Sequence, residues 1–229
     1  MQTPVKAAAM TQQMAFDLGT PRHLRREDFF VTASNAAALR EVEAWADWPG
    51  GKMVLAGPEG AGKTHLAHIW VTASGAALVA AKNLAEVDLP GLGPRVVVED
   101  AHCIAGNSQA EAALFHLHNL ILPGGRLLIT GNAPPRDWGL ALPDVISRLQ
   151  AASLVRLMAP DDVLLSAVLV KLFTDRQIAV LPNLIAYLVP RIERSLQAAA
   201  TVVARLDAFA LEQGRPVTRA LAAEMLDNA

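Results

Sequence analysis

From about residue 22 onward the chain alternates between two hydrophobic rhythms. Ser34 precedes apolar positions at Ala38, Leu39, Val42 and Trp45, a spacing that predicts a helix capped by Ser34 and closed before Pro49-Gly50-Gly51. Met53 to Ala56 is a short apolar run followed by a glycine-rich loop and a helical stretch to about residue 73. Residues 76–80 form a second short apolar run. Residues 94–100 are β-branched and end in acid, which predicts a buried parallel strand. A helix over about 108–121, a turn at Pro123-Gly124-Gly125 and another apolar run from Arg126 to Thr130 follow.

Strands alternating with helices predict an α/β fold built on a parallel sheet. After about residue 140 the rhythm is helical, over 161–174, 182–188, 190–212 and 218–227, punctuated by Pro160, Pro182, Pro190 and Gly214-Arg215-Pro216. Three parts follow: a tail over 1–21, an α/β nucleotide-binding domain over 22–159 and a small all-helical lid over 160–229.

Composition narrows the class. A hydrophobic share of 52% with 5% aromatics across 229 residues fits a helix-rich globular protein with room for a large core and a small second unit. The net charge of −2 lacks the basic balance of a protein that grips duplex DNA by itself, so DNA enters only indirectly. Without an apolar run long enough to span a bilayer, and with one cysteine, the expected location is the cytoplasm, with no membrane partner. Cys103 reads as a small buried hydrophobe. His116 and His118 read as packing or surface residues, and His65 and His68 as helix residues near the ligand rather than a zinc pair. The scattered tryptophans read as packing residues.

The sharpest chemistry lies at Gly57-Pro58-Glu59-Gly60-Ala61-Gly62-Lys63-Thr64, which matches the phosphate-binding pattern G-x-x-x-x-G-K-[ST] between a strand and a helix. Glycines let backbone N–H groups turn onto phosphate oxygens, and the following helix offers its positive end to the same anion. Lys63 would reach the β- and γ-phosphates and Thr64 would ligate Mg²⁺, with ATP or ADP as the nucleotide. Glu99-Asp100 closes the next buried strand and resembles a Walker B motif, in which Glu99 holds the metal, mostly through water, and Asp100 polarises the attacking water. Asn132 ends the following strand at the same sheet edge, where it can orient water or touch phosphate. An Asn after Gly is equally a turn residue.

The ordered set Asp28-Phe29-Phe30-Val31, Gly62-Lys63-Thr64-His65-Leu66, Val97-Val98-Glu99-Asp100, Phe115-His116-Leu117-His118-Asn119, Ile129-Thr130-Gly131-Asn132, Ser147-Arg148-Leu149 and Arg194-Ser195-Leu196-Gln197 resembles the AAA+ core of the DnaA replication-initiator family, over about residues 29–226. The resemblance implies a five-stranded-type parallel sheet with a helical lid. It places Phe29, Phe30, Val31 and His65 near the nucleotide, makes Asn132 the sensor 1 residue and Arg194 the lid's sensor 2 arginine, and makes Arg148 an arginine finger aimed at a neighbour's nucleotide. Glu99-Asp100 replaces the family's common Asp-Asp and Asn132 its common Asp, which implies weak hydrolysis by the chain alone.

The sequence contains no helix-turn-helix segment after the lid, so it resembles the shorter, Hda-like class that promotes hydrolysis of DnaA-bound ATP. That class carries a sliding-clamp peptide, and Gln13-Met14-Ala15-Phe16-Asp17-Leu18 is similar to its Q-L-x-L-x-L pattern. Gln13 would sit at a polar rim while Met14, Phe16 or Leu18 fills an apolar clamp pocket. The expected partners are therefore DnaA and the clamp, with a nucleotide-dependent homo-oligomer left open. Two alternatives stand beside this reading: an autonomous DNA-dependent ATPase of the helicase-loader kind, and a nucleotide-stabilised adaptor without catalytic role.

Overall fold

The computed structural model describes residues 24–121 and 124–227. Within them, five strands form one parallel sheet: β1 (Lys52–Ala56), β2 (Ala77–Ala80), β3 (Arg95–Glu99), β4 (Arg126–Gly131) and β5 (Ser153–Arg156), in the order β2-β3-β4-β1-β5. Register is continuous through the centre, with Val54 beside Ile129 and Val98 beside Ile129 from the other side. Because side chains alternate along a strand, each strand feeds two cores. Met53, Leu55, Val97 and Leu128 pack against α1 (Ala36–Glu43) and α2 (Lys63–Ser74) through Leu39, Val42, Leu66 and Trp70. Val54, Val96, Val98, Leu127 and Ile129 pack the opposite way, onto Leu114 and Leu117 of α3 (Ser108–Ile121) and Val145 and Leu149 of α4 (Pro143–Gln150). Each such side chain contributes about 1.5–3 kcal/mol by its burial.

A third core joins α5 (Asp162–Asp175), α6 (Pro182–Leu188), α7 (Leu196–Gln213) and α8 (Arg219–Asp227) around Leu169, Phe173, Leu188, Val203 and Leu206. Local chemistry sets its boundaries. The Asp161 carboxylate accepts from the Leu164 N–H at 2.7 Å, Pro182 opens α6, and the Ser195 hydroxyl accepts from the Ala198 N–H at 3.3 Å. No helix among the described residues is long and apolar enough to cross a membrane.

Three expectations need correction. The first helix starts at Ala36, because Asn35 rather than Ser34 occupies the cap; its side chain ties down the preceding turn, accepting from the Thr32 N–H and donating to the Phe30 carbonyl. Trp45 lies beyond the helix in a separate 3-10 turn. The span 190–212 is not one helix: Pro190 sits in a 3-10 turn and α7 begins only at Leu196, leaving Arg194 ahead of it. Finally, α4 and β5 were not legible as elements. β5 is a four-residue edge strand whose residues are alternately half-buried and exposed, with no long β-branched run to reveal it.

Candidate functional site

The phosphate loop occupies the carboxyl edge of the sheet, where the Gly57 N–H donates to the Gly131 carbonyl at 3.1 Å and so pins loop to neighbouring strand. A side chain at Gly57 would collide with the Leu157 carbonyl. No side chain caps α2 at Gly62, so the helix presents its N-terminal end to the loop. The Lys63 ammonium is buried and donates to the Gly57 carbonyl at 2.8 Å and the Pro58 carbonyl at 2.9 Å. Burial lowers its pKa, while Asp100, Glu59 and Glu99 pull the other way.

Two acids stand at the end of β3. Burial raises the Glu99 pKa, opposed by a hydrogen bond with the Thr64 side chain and by His68 and Lys63 nearby. Its Oε1 is buried without a hydrogen-bond partner, and so is Nδ1 of His68. A desolvated carboxylate oxygen beside the Thr64 hydroxyl is the donor chemistry of a hard divalent cation site, so these residues fit Mg²⁺. Asp100 adopts a left-handed conformation (φ 55°), and its N–H donates to the Thr130 hydroxyl at 2.9 Å. That bond fastens the end of β3 to the end of β4 and holds Asp100 and Asn132 on one edge.

Glu59, Gly60, Lys63, Thr64, Asp100 and Asn132 line a single cleft of about 1000 Å³. His65 also faces it and meets the Arg25 carbonyl at 2.8 Å. The predicted base-proximal residues divide. Phe30 lines the cleft, Phe29 is buried edge-on against the His65 ring at 5.0 Å, and Val31 is exposed. Arg194 is not among the lining residues; it pairs with Asp162 at 2.8 Å on the lid surface.

Arg148 also lies outside the cleft. It stacks on the Phe115 ring at 4.6 Å and donates to Asn119 Oδ1 at 2.5 Å, while the His118 ring meets it through Nδ1 at 3.2 Å. Lys52 approaches the other ring nitrogen. Burial first, then the two cations, push the His118 pKa down to about 4. A neutral ring between two cationic groups follows.

Some participants escaped the sequence reading. Lys171 and Asp28 line the same cleft, joined at 3.0 Å. Glu111 is fully buried in α3, where its carboxylate accepts from the N–H groups of Gly106, Ala141 and Leu142 and so sets the loop that leads to α4 and Arg148. A lone acid inside the apolar run Ala110-Glu111-Ala112-Ala113-Leu114 was its one sequence signal. Cys103 corrects an expectation: it is exposed at the cleft edge, because the 3-10 turn after Asp100 directs it outward, with Sγ 3.5 Å from His102 Nε2. Gln13, Met14, Phe16 and Leu18 lie outside the described residues.

No family model matches the chain. Its fold is nevertheless similar to solved structures. Domain III of the Thermotoga maritima replication initiation protein DnaA superposes with a TM-score of 0.79 at 17% identity, over 91% of this chain and 98% of that one. AMPPCP-bound DnaA from Aquifex aeolicus matches with a TM-score of 0.69 at 16% identity, over 84% and 67%. The Thermotoga maritima RuvB Holliday junction branch migration motor matches with a TM-score of 0.66 at 15% identity, over 89% and 71%. The chain shares with these proteins its fold, a five-stranded parallel sheet with flanking helices and a helical lid.

Proposed function

We propose that this chain is a cytoplasmic DnaA-like AAA+ regulator of replication initiation that binds ATP or ADP with Mg²⁺, attaches to the sliding clamp and promotes hydrolysis of the ATP held by DnaA. The observation that carries the reading is the position of Arg148, half-buried between α4 and α3 and outside the cleft of its own phosphate loop. An arginine there, once released from Asn119, would serve a nucleotide held by another molecule, where a guanidinium neutralises charge developing in phosphoryl transfer. Likeness to DnaA in fold supports the choice of family.

The chain's own residues have separable tasks in this scheme. The loop amides after Pro58 and the Lys63 ammonium hold phosphate, with Lys63 exchanging its two carbonyl partners for phosphate oxygens. Thr64 and Glu99 would hold Mg²⁺, which supplies charge neutralisation between phosphates. Arg194 reaches the nucleotide only by leaving Asp162. Glu111 and Asn119 position Arg148, the first through the loop ahead of α4 and the second by direct contact. Gln13, Met14, Phe16 and Leu18 form the clamp peptide.

One observation favours a second reading, an autonomous ATPase: Asp100 and Asn132 line the same cleft as Lys63. A single assay separates the two. The regulator accelerates loss of ATP from DnaA in the presence of clamp-loaded DNA and turns over slowly alone, and Ala at Gln13 and Leu18 removes the acceleration; brisk turnover by the isolated chain establishes the ATPase instead.

A further inference from the structure

The segment ahead of α1 and the lid face each other across the mouth of the cleft, and an ion pair joins them. Asp28 Oδ1 lies 3.0 Å from Lys171 Nζ on α5, with side-chain exposures of 19% and 26%. Shielding of that degree makes the pair stronger than a fully solvated one. Both residues line the cleft, and apolar side chains stand on either side of them: Leu24 and Phe30 from the segment, Val168 and Leu172 from the lid. The arrangement is a slot with apolar walls, closed at its rim by a charge pair.

The two walls are otherwise fastened at their ends. The Asp161 carboxylate, which caps α5, is hydrogen-bonded by Thr32 and Ser34 of the segment. The Leu196 N–H of α7 donates to the Gly60 carbonyl of the phosphate loop at 2.8 Å. Between these anchors, the Asp28–Lys171 contact is the ion pair that crosses the mouth.

Lys171 has a second partner. Asp175, one turn further along α5, is 3.1 Å from the same ammonium and also lines the cleft. When Lys171 leaves Asp28 it therefore remains paired on its own helix. Opening the mouth does not strand the cation, which confines the cost of opening to the Asp28 side.

We infer that Asp28 and Lys171 gate the cleft, with Asp175 as the partner that receives Lys171 in the open state, so that this triad sets the rate of nucleotide exchange. The inference rests on the nucleotide-binding reading of the cleft. It assigns the triad no contact with phosphate. Removing the cross-mouth pair speeds both entry and release, and removing the open-state partner slows both.

Stopped-flow fluorescence with N-methylanthraniloyl-ADP and Mg²⁺ tests it on the full chain. Asp28→Asn and Lys171→Met should each release the probe about fivefold faster than the parent, with a matching rise in association rate and little change in Kd. Asp175→Asn should slow release, and the exchanged pair Asp28→Lys with Lys171→Asp should return it toward the parental rate. Unchanged release in Asp28→Asn and Lys171→Met, or faster release in Asp175→Asn, overturns the gate while leaving nucleotide binding in place. A parent chain that never takes up the probe overturns the nucleotide reading and the gate with it.

Discussion

The Leu196 N–H donates to the Gly60 carbonyl at 2.8 Å, which ties the first residue of the long lid helix α7 directly to the phosphate loop. Gly60 has a positive φ of 68°, and a side chain there would run into the Ser195 hydroxyl. The loop and the lid are therefore one mechanical unit at this point. A phosphate seated beneath Gly60 would act on α7 without any intermediary.

Gly60→Ala should weaken ADP binding more than tenfold, since left-handed backbone costs a side-chain-bearing residue about 1–2 kcal/mol and the lid must also retreat from Gly60. Calorimetric titration measures it. Parental affinity in this variant would show that the lid contact is dispensable.

Lys63→Ala should leave the fold standing, because the ammonium is desolvated and its removal relieves that cost. What disappears is stabilisation by ligand, about 2.7 kcal/mol when ADP is present at a hundred times its Kd. Thermal melts with and without ADP and Mg²⁺ read the difference directly, and a full ligand-induced shift in the variant would refute the phosphate assignment.

Arg194 and Asp162 should act in opposite directions. Both are more than half exposed, so their pairing at 2.8 Å contributes little to stability. Arg194→Ala should weaken ADP binding severalfold, whereas Asp162→Ala frees the arginine and should tighten it. Equal and unchanged affinities in both variants would remove Arg194 from the site.

Arg148→Ala should preserve ADP binding by this chain and abolish stimulation of DnaA's ATP hydrolysis, by about 10³–10⁵ in rate if the arginine acts as fingers do elsewhere. Full stimulation by the variant would exclude the trans mechanism. The same substitution removes a cation from beside His118, so the ring's titration midpoint should rise from about 4, which NMR detects independently of any partner.

His118 also makes a stability prediction. Its folded pKa of about 4 lies below the ordinary value of 6.5, so between these values the unfolded chain binds more protons than the folded one. Stability is therefore full above about pH 6.5 and declines as pH falls toward 4, by at most about 3 kcal/mol, less what solvent screening removes. Urea titrations of the parent and of His118→Gln across that window should show a shallower decline in the variant. Identical pH slopes would mean that the neutral ring is not a source of acid sensitivity.

Much of the site was legible in the sequence because its chemistry is contiguous. A phosphate loop needs glycines, a lysine and a hydroxyl at adjacent positions between a strand and a helix, and its ligands are largely backbone N–H groups. The buried strands around Val54, Val97 and Ile129 declared themselves by apolar runs, and Glu99-Asp100 by the acid that ends one of them. Edge strand β5 stayed hidden because one edge of it is unpaired and the polar Ser153 and Arg156 at its ends leave only Leu154-Val155 between them as an apolar run.

Sequence alone thus determined the sheet's buried centre, the loop from Gly57 to Thr64 between strand and helix and the acids at the end of β3, since periodicity and short-range spacing decide these. Only tertiary structure decided that Lys171 reaches back to Asp28, that Arg194 turns onto Asp162, that Glu111 braces the loop before α4 and that Cys103 faces outward. Each of these depends on which surfaces meet when the lid docks or a turn bends. A charged side chain's partner is chosen by proximity in space, and no local pattern in the chain encodes a meeting between residues 28 and 171.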